Sequence, residues 1–173
     1  QAVEKGITPL LTASYGGHVD CVRLLCKAGA AINQTDGYGT TPLCIATREG
    51  HTKCVRLLCD AGAAVNQATD KGVTPLHMAS QGGYSECARL LCDAGAALNQ
   101  AANTGITPLV AASHGGHVEC VRLLCDAGAA VNQATNTGTN QATNPGITPL
   151  LIAAYKGHVD CVRLLCKAGA AIN

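Results

Sequence analysis

The chain has 173 residues and a formal net charge of +1; 47% of its residues are hydrophobic, yet only 2% are aromatic, with no Phe and no Trp. Near-neutral charge lacks the electrostatic footprint of a nucleic-acid binder or of a protein held on an acidic membrane surface, and no stretch approaches the roughly 18 apolar residues of a membrane span. A core of Ala, Val, Leu, Ile and Cys without large rings points away from one thick globular interior and towards many thin, similar layers.

The first predicted element is a short helix after Thr8. Thr8 suits the N-cap, and Pro9 suits the first helical position, where its missing N–H has no intrahelical partner. The run Leu10 to Tyr15 is ended by Gly16-Gly17. A second helix starts near His18-Val19. Val22, Leu25 and Cys26 fall on one face at i, i+3 and i+4, and Cys21, Leu24 and Ala28 widen it. Gly29 takes the position after the helix, where a left-handed backbone carries little penalty only for glycine. The polar run Asn33 to Gly39 reads as a loop or hairpin.

Then the pattern begins again. Thr-Pro-Leu stands at 8–10, 41–43, 74–76, 107–109 and 148–150, the first four copies 33 residues apart and the last step 41. Leu-Leu-Cys recurs at 24–26, 57–59, 90–92, 123–125 and 164–166, each followed by Ala-Gly-Ala-Ala. Self-similarity at a fixed period marks a repeat architecture. It divides the chain into units 2–34, 35–67, 68–100, 101–133 and 142–173, with residues 134–141 inserted before the last. Two helices of about two turns cannot bury their apolar faces alone. Stacked neighbours can, so the expected fold is an all-α solenoid of helix pairs.

The insertion is a stutter. Residues 132–139 and 140–147 differ only at Thr137/Pro145 and Thr139/Ile147. Loop closure entropy grows only with the logarithm of length, so a tandem duplication at a loop tip is tolerated. The competing reading is a lengthened loop that touches a partner through its Asn and Thr side chains. Both expect the fifth helix pair to stack on the fourth.

The pattern G-x-T-P-L-x-x-A, then G-H-x-x-x-V-x-L-L-x-x-x-G-A-x-x-N, at a period of 33, resembles the ankyrin repeat over essentially the whole chain outside 134–141. The resemblance implies helix pairs with β-turn fingers at one edge, fingers and first helices lining a concave protein-binding surface, and no catalysis. The chain departs from that pattern in places. After Thr-Pro-Leu, where the family often has His, only His77 does; its counterparts are Leu11, Cys44, Val110 and Leu151. The family's Gly-Ala-Asp is Gly-Ala-Ala throughout, at Ala31, Ala64, Ala97, Ala130 and Ala171. Tyr84 stands where the other units have His18, His51, His117 and His158.

Eleven cysteines is an odd number in a chain too long for a small disulfide-stapled module. Ten form Cys-x-x-x-x-Cys pairs on the second helices, at 21/26, 54/59, 87/92, 120/125 and 161/166. Five residues on a helix leave two side chains roughly 140° apart, too divergent to share a metal. Equivalent cysteines of successive units lie about 10 Å apart, beyond disulfide reach. The resemblance puts Val, Ile or Leu at both positions. The expectation is therefore buried free thiols in a reducing, intracellular compartment, which outweighs the lone glycosylation triplet Asn33-Gln34-Thr35. Cysteines of different columns in adjacent units come closer, which keeps a thiol redox or metal role as a minor alternative. Cys44, on a first helix, is the expected accessible thiol. The Gly-His column is expected to bond local loop backbone. His114-x-x-His117 has metal-like spacing with no further ligands to complete it. Arg23, Arg56, Arg89, Arg122 and Arg163 form one column, with acids at i−3 or i+4, and read as a solvated, neutralised face. No phosphate loop or catalytic constellation recurs, and no cofactor is expected.

Between units the framework columns barely change. Variation gathers at the finger tips and the ends of the first helices. Those columns supply the expected protein-binding strip: Lys5, Tyr38, Lys71 and Thr104 from the fingers, and Tyr15, Arg48, Glu49, Gln81, His114, Tyr155 and Lys156 from the helix ends. Three of the four tyrosines fall here, and Tyr is enriched at interfaces. The bland alternative is that exposed columns drift freely. The ends add a second function class. Residues 17–33 and 157–173 are identical, and neither end shows the polar outer face of a capping repeat. Either the array is a truncated piece of a longer one, which is the reading favoured, or its ends dock in a larger assembly.

Overall fold

The computed structural model describes residues 6–135 and 146–172. Lys5 and most of the 134–141 insertion therefore lie outside the described residues. Ten α-helices are present: α1 Pro9–Tyr15, α2 Val19–Lys27, α3 Pro42–Arg48, α4 Thr52–Asp60, α5 Pro75–Gly82, α6 Ser85–Asp93, α7 Pro108–Gly115, α8 Val118–Asp126, α9 Pro149–Lys156 and α10 Val159–Lys167. There is no strand among the described residues.

Each odd-numbered helix starts the same way. The hydroxyl of Thr8, Thr41, Thr74, Thr107 or Thr148 accepts from the amide three residues on, at 3.1–3.3 Å. Proline follows as the first helical residue. Such a cap is worth about 1 kcal/mol, which matters for helices this short. The even-numbered helices end on a left-handed glycine, Gly29 at φ 81° being the first. There the Ala30 amide reaches back to the Leu25 carbonyl at 3.0 Å.

Odd helices pack on odd helices and even on even, and each pair is joined across the two layers. The core is correspondingly thin. Leu10, Leu43, Leu76 and Leu109 are each 1% exposed, and Leu58, Leu91, Leu124 and Leu165 are fully buried. Ala46, Ala79, Ala112 and Ala153 let the layers approach, and no ring is needed to fill the space. Truncating one such leucine to alanine costs about 2–5 kcal/mol in a packed core.

Polar ties hold the register. Asn33, Asn66, Asn99 and Asn132 each offer Oδ1 to an amide of the next unit, Ala64, Ala97, Ala130 and Ala171, at 2.7–2.8 Å. Asn33 thereby commits its side chain to the stack. The last of these bonds spans the insertion, and α9 packs on α7 as α10 packs on α8. The fifth pair does stack on the fourth. Thr135 N donates to the Ile147 carbonyl at 3.0 Å, and Ile147 N donates to the Thr135 hydroxyl at 2.9 Å. The same pairing closes the preceding finger, Ala102 N to the Ile106 carbonyl at 3.0 Å. The finger thus runs eight residues longer between its two paired points, Thr135 and Ile147, than between Ala102 and Ile106.

Candidate functional site

The finger of the second unit carries Tyr38 at its tip. Asp36 Oδ1 accepts from the amides of Tyr38 and Thr40, both at 2.8 Å, which folds the tip as an aspartate-centred turn. Successive fingers are stitched together. Tyr38 O accepts from Asp70 N at 3.1 Å, Lys71 O accepts from Asn103 N at 3.0 Å, and Asn103 Nδ2 donates to Asp70 O at 3.0 Å. Tyr38 and Lys71 therefore project from a fixed backbone, and the Tyr38 ring is 77% exposed.

The helix-end residues are set by an imidazole ladder. His51 Nε2 bonds the Tyr15 carbonyl at 2.9 Å, His117 Nε2 the Gln81 carbonyl at 3.0 Å, and His158 Nε2 the His114 carbonyl at 3.1 Å. A carbonyl can only accept, so Nε2 carries the proton in each. This corrects the expectation of a local loop bond: the histidines bond the preceding unit. Arg48 is the exception, because its partner column holds Tyr84. Its own guanidinium Nε donates to Glu49 Oε1 at 2.9 Å.

Between these fingers and α3 and α5 lies an open groove of about 830 Å³. Tyr38, Arg48, Lys71 and Gln81 all line it, so four of the expected strip residues converge. Sequence reasoning missed Asp36, Asp70, Val73 and Met78, which also line it. Their columns vary as well, and Asp70 stands in a variable finger column, but side-chain variation alone did not show which of these positions face the groove. Two cations face two carboxylates over an apolar floor. Balanced charge gives no single-sign field for phosphate, and Met78 can reshape to fit an apolar side chain.

A smaller cavity of about 220 Å³ lies further along, lined by His77, Gln81, Ile106, Val110, His114 and Ile152 among others. His77 is 6% exposed and its Nδ1 has no partner. Burial pushes its pKa below the ordinary value, against a hydrogen bond donated to the Ile106 backbone that acts the other way. Tyr15, Thr104, Tyr155 and Lys156 line neither space. Tyr15 and Tyr155 belong to the first and last helix pairs, and the Lys156 ammonium sits 5.9 Å from the Tyr155 ring centre. Glu49 touches the groove only through Arg48.

All eleven cysteines are free. Cys54, Cys87, Cys120 and Cys161 are fully buried, and the second column is half-buried except Cys166. Cys44 is buried as well, which corrects its expected accessibility: its position on α3 faces the next unit, as Leu11, His77 and Val110 do. Its Sγ points to the Gln67 carbonyl at 3.6 Å. The exposed thiols are Cys21 and Cys166, at the two ends. Burial pushes the thiols of Cys59 and Cys120 up to about 11. Among the described residues no cluster of three His, Cys, Asp or Glu could hold a metal.

The arginine column is paired. Arg89 meets Glu86 at 2.6 Å and Asp93 at 3.0 Å, Arg163 meets Asp160 at 3.0 Å, and Arg122 meets Glu119 at 3.4 Å. Arg56 instead crosses to Glu86 of the next unit at 3.5 Å. Hydrogen bonding by Arg89, helped by the charge of Arg56, holds the Glu86 carboxyl below its ordinary value.

The family model for ankyrin repeats matches the chain in four overlapping windows, residues 1–69, 28–102, 61–135 and 96–173. The chain belongs to the ankyrin-repeat family. A comparison with curated proteins gives no match. Ankyrin repeats generally mediate protein–protein interaction and are typically non-catalytic scaffolds. In this ankyrin-repeat array no described helix is long and apolar enough to cross a membrane.

Proposed function

We propose that this chain is a non-catalytic scaffold that holds a partner protein along its fingers and first helices, with the groove of the second and third units as the principal contact. The observation that carries this is the convergence of Tyr38, Arg48, Lys71 and Gln81 on one open groove with an apolar floor. The mixed lining favours a polypeptide segment that brings both charged groups and an apolar anchor. Tyr and Arg are the residue types that most often dominate binding energy at interfaces.

The reading also places the protein in a reducing compartment, supported by eleven unpaired thiols, most of them packed as small hydrophobes. The test pairs Tyr38→Ala with Arg48→Ala. Both side chains are exposed, so the thermal midpoint should hold. Affinity capture followed by mass spectrometry should lose the partner that the unaltered chain retains. Equal recovery by both proteins would end the proposal.

A further inference from the structure

Two places after the core leucine, the five first helices carry Thr12, Ile45, Met78, Ala111 and Ile152. Ala111 is the smallest of these, and the cavity of about 220 Å³ lies against it. Val110 and Ala111 of α7, Ile152 of α9, and Ile106 and Ile147 of the two fingers give that cavity an apolar lining; His77 and Gln81 of α5 line it as well. In the groove of the second and third units the corresponding place is lined by the side chain of Met78. Where α5 has a methionine and α9 an isoleucine, α7 offers a single methyl group, and the cavity is the space this leaves.

Its volume suits a ring. Apolar cavities of about 150 Å³ already take up benzene. This chain has no Phe and no Trp, and none of Tyr15, Tyr38, Tyr84 and Tyr155 lines the cavity. A short aliphatic side chain would leave part of the space empty, and a void forfeits the dispersion contacts of its lining. The cavity is also a neighbour of the groove. On α5, Met78 and Gln81 line the groove while His77 and Gln81 line the cavity, so one helix is the wall between them and Gln81 stands on both sides. His77 and Gln81, four residues apart, are neighbours on the helix surface, as are Met78 and Gln81 at three.

We propose that the cavity over Ala111 receives one aromatic side chain of a partner polypeptide whose flanking residues lie in the groove of the second and third units. This rests on the scaffold reading above and adds the chemistry of the anchor. The groove meets both signs of charge with Arg48, Lys71, Asp36 and Asp70. The cavity contributes what an open groove cannot, a place where a ring is surrounded by Ile and Val side chains. Adjacent units lie about 10 Å apart, and an extended chain advances about 3.3 Å per residue. The ring therefore stands about three to six residues from the part of the partner that meets Tyr38 and Arg48.

Methyl NMR of the full chain tests this, with N-acetyl-phenylalaninamide as probe and N-acetyl-alaninamide as control. The aromatic amide should shift the methyl signals of Ala111, Ile106 and Ile152 saturably, and the control should not. Ala111→Met and Ala111→Ile install the residues of neighbouring units, so their thermal midpoints should hold or rise. Each should weaken binding of the aromatic amide by at least about tenfold, and Ala111→Met should weaken capture of the partner to the same degree. Absence of a saturable shift, or undiminished probe binding in both variants, would overturn the proposal. The scaffold reading fails by a different result, retention of the partner by Tyr38→Ala with Arg48→Ala. Deletion of residues 137–144 shortens the last finger to the length of the one from Ala102 to Ile106. Probe uptake only after that deletion would assign the cavity to the chain's own finger, and shifts of the same methyls with protein concentration alone would assign it to a second copy. Either result would also overturn the proposal.

Discussion

The ring of Tyr84 lies on Gly50, where an added Cβ would fall 2.6 Å from its Cε1. In the second, fourth and fifth units an imidazole fills that place and also bonds the helix end before it. Tyr84 supplies the bulk without the bond, so the Arg48 carbonyl in the groove wall goes without that donor. Tyr84→His should supply it and raise stability by about 1 kcal/mol, the net worth of one hydrogen bond. Chemical denaturation measures this, and a loss of stability would show that ring packing outweighs the bond.

Gly83 and Gly157 have nearly the same backbone, φ 72° and 76°. They differ in their surroundings: a Cβ on Gly83 would lie 2.5 Å from His117 Nδ1, and one on Gly157 would meet nothing. Gly157→Ala should cost about 1–2 kcal/mol, the left-handed penalty alone. Gly83→Ala should cost clearly more, since the His117 ring must move off the Gln81 carbonyl. Equal losses in urea unfolding would mean that the neighbouring unit adds no constraint.

Thiol chemistry should sort by position. In native protein, Cys21 and Cys166 should react promptly with an aromatic disulfide reagent, the half-buried Cys26, Cys59, Cys92 and Cys125 more slowly, and the five buried thiols only on unfolding. The buried thiols also predict an alkaline limit. Cys59 and Cys120 rise from the ordinary 9.0 to about 11 on folding, so the folded state favours their protonated form. That stability is intact below about 9 and lost as pH climbs through about 11. Thermal midpoints across this range check it, and Cys59→Val with Cys120→Val should flatten the decline.

His77 predicts the acid side. Its pKa is lowered in the fold, so the unfolded chain binds its proton more readily. Stability from this residue is present above about 6.5, its unfolded value, and declines as pH falls below it. His77→Leu installs the residue that Leu11 is in the same column and removes the orphaned Nδ1. The variant should match or exceed the parent at neutral pH and lose less on acidification to pH ~5. An unchanged pH profile would rule out His77 as the source.

What could be read from sequence followed the range of the interaction. The helix starts were legible because a threonine cap and its amide lie three residues apart. The solenoid was legible because the period announces it. The partners of Arg56 and His51 were not, since each lies in an adjacent unit. Arg56 has Asp60 in reach along its own helix, yet it bonds Glu86, and Lys53 stands where other units place an acid. Cys44 looked accessible because it stands on a first helix, apart from the paired cysteines of the second helices, but Leu11, His77 and Val110 show its column to be interior. Of the strip residues, Tyr38, Arg48, Lys71 and Gln81 meet at one groove because fingers and helix ends of adjacent units lean together. Tyr15 and Tyr155 share their chemistry but stand in the terminal pairs.

The Thr135–Ile147 clasp ties the two ends of the lengthened finger to each other. Register is set below the clasp by the Asn132 bond and by α7 against α9, so chain length above it is free to change. A foreign epitope or a recognition peptide spliced between Thr135 and Ile147 should therefore leave the layers as stable as before, which thermal unfolding would check.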